Sequence, residues 1–299
     1  TTSVIISLVQ KGKLSLDDKV AIRLPGFAPT SLDKKTLARR NRVTIRHLLL
    51  HTSGLPSWKP LYRTCKSYRK LLNAILPTAL ETEPGSKYRY SDLGFILLGE
   101  IAARAGGKPI ARLEKELVFA PLGMKETRRN PSSTLKKRIP PTEFDEEKGS
   151  YIHGKVHDEN ARAAGGITGH AGLFSTTSDL SLLARELLLA LKGKSRKFRQ
   201  KTIESFVRCQ DSPKGSSRAL GWDTPSEESS AGDLASRTSF GHTGFTGTSI
   251  WIDPQRDLYI ILLSNRVHPT RKNRKITAVR RKFADAVVGA IDSAGKKAR

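Results

Sequence analysis

Methionine occurs once, at Met124, and cysteine twice, at Cys65 and Cys209. Because the chain opens on Thr1 rather than on methionine, coding sequence is expected upstream of it. Two cysteines far apart in the chain, with no C-x-x-C spacing, exclude a disulfide scaffold and a thiolate zinc site. Aromatic residues make up only 6%, and the basic runs hold a lone Phe198 between Lys197 and Arg199, which is no stacking platform for single-stranded nucleic acid. No run approaches the roughly 20 apolar residues of a membrane span, and the first residues lack the basic-then-apolar pattern of a secretory signal. Acidic residues are scarce, at 28 against 53 lysines and arginines, which leaves a net charge of +25. Such an excess attracts polyanions, whether nucleic acid, anionic lipid or acidic cell-wall polymer. The basic residues cluster at Lys192 to Lys201, at Arg271 to Lys275 with Arg280, Arg281 and Lys282, and at Lys296, Lys297 and Arg299. With no zinc finger, basic zipper or RNA-binding signature among them, they read as a solvated surface with non-specific polyanion affinity, not as a specific nucleic-acid site.

What is present suffices for a globular protein: 37% of residues are hydrophobic, and there is neither a repeat nor a low-complexity linker. The expected organisation is a single domain over 1–299, with a helical subregion at about 40–200 and a sheet with a C-terminal helix at about 235–292. Val4, Ile5, Leu8 and Val9 stand at helical spacing before Gly12, and Leu14 to Phe27 reads as turn-rich. Short helices are expected from Thr44 to Leu50 and from Ser67 to Leu76. A longer apolar one should start at Ser91-Asp92 and stop at Gly106-Gly107. Others are expected from Pro109 to Val118 and from Asp179 to Leu191, with a polar connection over Arg128 to Val156. The period then changes. Ser239 to Gly244, Gly247 to Asp253 and Leu258 to Ser264 read as successive antiparallel strands. A last helix carries Ile276, Val279, Phe283, Ala286, Val287, Ala290 and Ile291 toward that sheet, and the whole is of α+β class.

Three places carry candidate chemistry. Tyr90-Ser91-Asp92 lies where a turn meets a helix start, whose unpaired N–H groups collect partial positive charge. A phenol titrates near 10 and serves as a base near neutrality only beside a cation; taken alone, a structural tyrosine is the simpler reading. In the run from Gly241 to Thr248, flanking glycines would let a ligand approach a strand closely, and an ordinary hairpin or bulge explains them as well. The cluster Gly165 to Gly172 follows no expected strand and opens no helix with a phosphate-binding lysine, so it is not a nucleotide loop. His153, His157, Asp158, Glu159 and His170 gather around it. Gly154 spoils the helical spacing of the first two, which favours a hydrogen-bonded loop over a metal site, and no metal or other cofactor is expected. No G-x-S-x-G elbow is present.

Taken in order, LVQKGKLSLDDKV, TIRHLLLHTSGLP, EPGSKYRYSDLGFILLGEI, PLGM, VHDENARAAGGITGHAGLFSTTSDL, GHTGFTGTSIWIDP and LYIILLSN resemble the serine β-lactamase and penicillin-binding-protein superfamily. The likeness is greatest to the branch related to class C β-lactamases, which includes esterases and D-aminopeptidases. The resemblance implies an antiparallel sheet flanked by helices with a mostly helical subregion, and acyl-enzyme chemistry on a small-molecule or peptide substrate of cell-wall origin. It also implies residence in the periplasm, in the medium or at the cell surface. Tyr90 matches the tyrosine of the Y-x-N element, which moves the proton of the nucleophile. Asp92 stands where asparagine is usual and adds a negative charge beside the catalytic lysine. His242-Thr243-Gly244 matches K-T-G in its histidine form, and the N–H of Phe245 would donate to the oxyanion. The resemblance makes Asp92, Thr243, Gly244 and His170 substrate contacts. Histidine for lysine removes a fixed cation and with it part of the case for a substrate carboxylate.

The family's serine and lysine, spaced S-x-x-K, would fall just before Thr1, together with the first strands of its sheet. The matches Ser31 to Lys34, Ser67 to Lys70 and Ser133 to Lys136 lie far downstream and are rejected. The expectations are therefore a serine hydrolase whose nucleophile lies outside this chain and, as the alternative, a non-catalytic protein of the same fold that binds cell-wall peptide or another partner.

Overall fold

The computed structural model describes residues 1–227 and 229–297, the side chains of 295–297 excepted; the side chains of the basic residues Lys296 and Lys297, and all of Arg299, thus lie outside what is described. Helices run in the order α1 (Thr2–Gln10), α2 (Val20–Arg23), α3 (Lys34–Asn41), α4 (Ile45–Leu49), α5 (Tyr68–Ile75), α6 (Asp92–Gly106), α7 (Ile110–Glu114), α8 (Ala120–Leu122), α9 (Glu159–Ala163), α10 (Thr177–Leu191), α11 (Gln200–Val207) and α12 (Ile276–Lys297). Strands are β1 (Arg128–Arg129), β2 (Phe144–Asp145), β3 (Ser150–Tyr151), β4 (Leu173–Phe174), β5 (Arg218–Ala219), β6 (Trp222–Asp223), β7 (Phe240–Thr243), β8 (Ser249–Asp253) and β9 (Leu258–Leu262). The chain divides into two compact units, one of residues 1–131, 155–174 and 211–216, the other of 132–154, 175–210 and 217–299.

The first unit is built around α6. Its start is fixed by Ser91, whose Oγ accepts from the N–H of Gly94, and its end by Gly107 at φ +68, a left-handed cap that glycine adopts without strain. Leu93, Ile96, Leu97, Leu98, Ile101 and Ala102 are fully buried, so the helix is apolar around most of its circumference and forms the centre of the unit. Against it pack Val4, Ile5 and Leu8 of α1 and Ile45, Leu48 and Leu49 of α4. Thr44 caps α4 with a reciprocal box to His47, and Ser67 caps α5 by accepting from the N–H of Lys70. The Ser67 hydroxyl thus serves as the acceptor of a helix cap.

Two segments depart from the sequence reading. The stretch from Leu14 to Phe27 contains the single-turn helix α2 and a 3₁₀ turn at Pro25–Phe27. The polar run Lys34–Asn41 is helical because Asp33 caps it and because Arg40, 2% exposed, anchors it. The Arg40 guanidinium donates to the carbonyls of Thr78 (2.8 Å), Phe27 and Leu76 and lies 4.3 Å over the Phe27 ring. A fully hydrogen-bonded guanidinium is the form in which a charge can be buried.

In the second unit the five-stranded sheet is antiparallel in the order β5-β6-β7-β8-β9, and the three strands expected from the change of period are β7, β8 and β9. Gly241 pairs with Trp251 and His242 with Ile250. Among the described residues β9 pairs with β8 alone, which makes it an edge. Helix α12 forms as expected, and Val287 of the expected stripe packs against the Ile260 cluster, but other members of that stripe do not. Arg280, Ala284 and Val288 are buried, the last two against Ile260, while Val279, Phe283 and Ile291 are exposed. Arg280, on the buried side, donates to the carbonyls of Gly244 and Thr248 in the turn between β7 and β8.

Candidate active site

In the first unit Tyr90 stands one residue before the cap of α6, with its ring 40% exposed. One face of that ring lies on the imidazole of His51, with centroids 4.3 Å apart, and Phe95 stacks on the same imidazole at 4.9 Å. His51 is 3% exposed, and its Nδ1 accepts from the N–H of Ser91 at 3.0 Å. An accepting Nδ1 fixes the neutral tautomer with its proton on Nε2. The Ser91 hydroxyl donates to the carbonyl of Pro56 at 2.7 Å, and the N–H of Asp92 donates to that of Ser57 at 2.9 Å. The start of α6 is thereby sewn to the His51-Thr52-Ser53-Gly54-Leu55-Pro56 segment.

Asp92 and His170 are brought together, and the residue that joins them is Asp158. Asp158 caps α9 by accepting from Ala161 at 2.7 Å, and the same oxygen takes a 2.9 Å hydrogen bond from His170 Nε2. Burial pushes the Asp158 carboxyl up, but the hydrogen bond and charge of His170 with the Ala161 N–H outweigh it and hold the group below the ordinary carboxylate range. Among the described residues Asp92 receives no such donor; burial pushes it up to about 6, with Asp158 adding to the rise and His170 opposing it. His170 Nδ1 is buried with no hydrogen-bond partner among the described residues. Asp92, Asp158 and His170 each place one ligand atom within 4.8 Å of the others, a set that could hold a divalent cation. His153, in contrast, contacts the carbonyls of Lys136 and Ile139 in the second unit. The sequence reading lists Asp158 but does not pair it with His170; a D-x-x-x cap signal twelve residues before a histidine was the one available hint.

The glycine loop that presents His170 is clamped from several sides. Thr1 Oγ1 donates to the Gly169 carbonyl at 2.6 Å, Arg129 donates to that of Ala171, and Asn130 to that of Gly165 at 2.8 Å. Gly169 lies directly on α6, where a Cβ would meet the Phe95 carbonyl oxygen at 2.0 Å and the Gly99 nitrogen at 2.9 Å.

In the second unit His242, Thr243, Gly244 and Phe245 follow one another along the end of β7 and into the turn after it. His242 is half-buried; burial, with the Arg218 guanidinium next, holds its imidazole below the ordinary value, so it is neutral at pH 7. Both flanking glycines meet close neighbours on the Cβ side: at Gly241 a Cβ would strike the Ile250 carbonyl oxygen at 2.3 Å and the Trp251 ring at 2.5 Å, and at Gly244 the Thr248 hydroxyl at 2.2 Å. Arg280 of α12 donates to the carbonyls of Gly244 (2.6 Å) and Thr248 (2.7 Å) and fixes the turn. It is not the surface cation that its basic run implied. Arg266 donates from Nε to the Phe245 carbonyl at 2.7 Å and lies 4.1 Å over the Phe245 ring. Neither arginine carried a motif by which the sequence could have marked it.

The chain is similar to known proteins along most of its length. It is 34% identical over 287 residues to an Escherichia coli protein described as "Putative D-alanyl-D-alanine carboxypeptidase", covering 87% of this chain and 65% of that one. A Salmonella typhimurium protein of the same description is 35% identical, covering 90% of this chain and 67% of its own length. This chain therefore spans about two thirds of the length of these relatives. Among solved structures, EstCE1, described as a hydrolase with promiscuous acyltransferase activity, superposes with a TM-score of 0.71 at 21% identity, covering 96% of this chain and 81% of that one. The octameric penicillin-binding protein homologue from Pyrococcus abyssi gives 0.68 at 19% identity, covering 96% and 63%. The profile of the family described as Beta-lactamase matches residues 1–285, and the chain belongs to that family of serine hydrolases with the penicillin-binding-protein fold.

Proposed function

We propose that this chain supplies the proton-transfer and oxyanion groups of a serine hydrolase that forms an acyl-enzyme on a D-amino peptide or amide, an ester or a β-lactam. The observation that carries the reading is Tyr90, half-exposed and held on a stacked imidazole just before α6, in the string that resembles the family's Y-x-N element. In this reading the serine and lysine of S-x-x-K stand outside the 299 residues. The serine Oγ bonds to the substrate carbonyl carbon while its proton passes to the Tyr90 phenolate, which the cation of the S-x-x-K lysine would keep ionised, and the Phe245 N–H receives the oxyanion. The C–N or C–O bond then breaks, and Tyr90 returns the proton to the leaving group. Water repeats the sequence on the acyl-serine ester and frees the acid.

Relatives described as carboxypeptidases support a peptide with a D-residue as the first substrate to try. Such a substrate places the work outside the cytoplasm. Neutral His242 supports a pocket without a fixed cation at that position. The test is Tyr90→Phe in the natural full-length protein, with acylation followed by single-turnover labelling beside a D-alanyl-D-alanine peptide, short-chain esters and a chromogenic lactam. Loss of a positioned proton-transfer group lowers the acylation rate on the order of a hundred-fold or more. An unchanged rate removes Tyr90 from the mechanism.

A further inference from the structure

We infer that His51 is the positioning residue of Tyr90: one side chain and its own backbone hold the tyrosine from three directions. This rests on the reading of Tyr90 given above. Both residues that flank Tyr90 are bonded to His51. The N–H of Arg89 donates to the His51 carbonyl at 2.8 Å, and the N–H of Ser91 donates to His51 Nδ1 at 3.0 Å. The ring of Tyr90 itself lies on the imidazole at 4.3 Å, tilted by 31°, and Phe95 backs the imidazole at 4.9 Å. The edge of Tyr88 closes a further side at 6.3 Å. A tyrosine whose two neighbours and ring are all referred to one buried residue has little freedom in either its backbone or its χ angles.

The backbone of His51 supports the same conclusion. It sits at φ +56, in the left-handed region that residues other than glycine adopt at a cost of about 1 kcal/mol or more. That conformation turns its carbonyl toward Arg89 while its side chain reaches Ser91, so the strain accompanies the double hold. Local packing does not require it at this place, because a glycine or asparagine would end α4 with less strain. The chemical demand is positional. A misplacement of about 1 Å in a reacting group can cost on the order of a hundred-fold in rate, and Tyr90 is too exposed to be held by burial.

Two variants divide the hold into parts. His51→Asn keeps an acceptor at the δ position for the Ser91 N–H and is at ease in the left-handed region, but it removes the stacking ring. His51→Phe keeps a ring and removes the acceptor. In the natural full-length protein, His51→Asn should fold with an unchanged melting temperature, keep KM within about two-fold and lower kcat on the order of ten-fold. The discriminating measurement is a double-mutant cycle of single-turnover acylation on wild type, His51→Asn, Tyr90→Phe and the double variant. If His51 acts through Tyr90, His51→Asn has no further effect once the phenol hydroxyl is gone. Additive losses, or a kcat unaltered by His51→Asn and His51→Phe while Tyr90→Phe is slow, overturn the inference and leave the role of Tyr90 standing. A Tyr90→Phe variant as fast as wild type overturns the reading of Tyr90 on which the inference rests.

Discussion

Gly169→Ala puts one methyl group into the contact that seats the His170 loop on α6. Gly169 has an ordinary backbone conformation, so alanine adds no torsional strain and the effect is steric. The new Cβ would lie 2.0 Å from the Phe95 carbonyl oxygen, 2.9 Å from the Gly99 nitrogen and 3.0 Å from the Gly99 Cα. All three are backbone atoms of a buried helix and cannot rotate away. Since C···O contacts settle at about 3.3 Å, the loop has to rise by roughly 1.3 Å. Thr1 and Arg129 resist that movement through the carbonyls on either side of His170. The His170–Asp158 hydrogen bond, 2.9 Å at rest, would open beyond hydrogen-bonding distance. Overpacking of this kind costs about 1–3 kcal/mol, which at roughly 2–4 °C per kcal/mol lowers the melting temperature by about 2–12 °C. Thermal unfolding followed by circular dichroism measures the loss, and the Nε2 proton of His170 in the NMR spectrum reports the hydrogen bond. An unchanged melting temperature together with an unshifted His170 resonance would refute the account of the loop as rigidly seated.

Two further outcomes concern the second unit. His242→Lys restores a cation on β7 and should shift the ranking of substrates toward those with a free carboxylate, read as kcat/KM on matched acid and amide pairs; an identical ranking in both proteins counts against the placement of His242 beside substrate. Asp253 accepts from Ser236 N and Oγ, from Gln255 N and from the backbone and guanidinium of Arg256; burial pushes its carboxyl up, and these donors, Ser236 first, outweigh burial and hold it below the ordinary range. A depressed carboxyl stabilises the fold above its unfolded pKa and loses that contribution as the pH falls below about 4. Asp253→Asn should therefore cost about 2–4 kcal/mol in urea unfolding at pH 7 and progressively less toward pH 3, whereas a pH-independent difference would assign the loss to packing.

The caps and strands were legible because their signals are local. Ser67 and Ser91 each precede an apolar helix and accept from the N–H three residues on, and β7, β8 and β9 alternate or run apolar between turns. Helix α3 was not legible, since Lys-Lys-Thr-Leu-Ala-Arg-Arg-Asn shows no apolar period and its anchor is a buried arginine that reaches carbonyls 13 to 38 residues away. The same limit applies at the site. Tyr90, His170, His51 and Asp158 all stand in recognisable strings, but which of them hold one another is set by long-range contact. On α12 periodicity picks out Val287, which packs against the Ile260 cluster, but also weighs the exposed Val279 and Phe283 above Arg280, whose burial goes with its hydrogen bonds to Gly244 and Thr248.

For these 299 residues by themselves, without the further strands that the family resemblance puts before Thr1, the edge strand β9 sets a solution behaviour that follows from its sequence. Leu258, Tyr259, Ile260, Ile261 and Leu262 form an uncharged run of β-formers, the composition that templates strand addition from a second copy, and it lacks the lysine or proline with which edges are commonly guarded. The guard is instead collective. A net charge of +25 repels every approaching copy, and at about 0.01 M salt that repulsion extends roughly 30 Å from the surface, against about 8 Å at 0.15 M. Dilute buffer therefore favours the dispersed chain, and added salt, which steadies many proteins, removes the barrier between two bare edges.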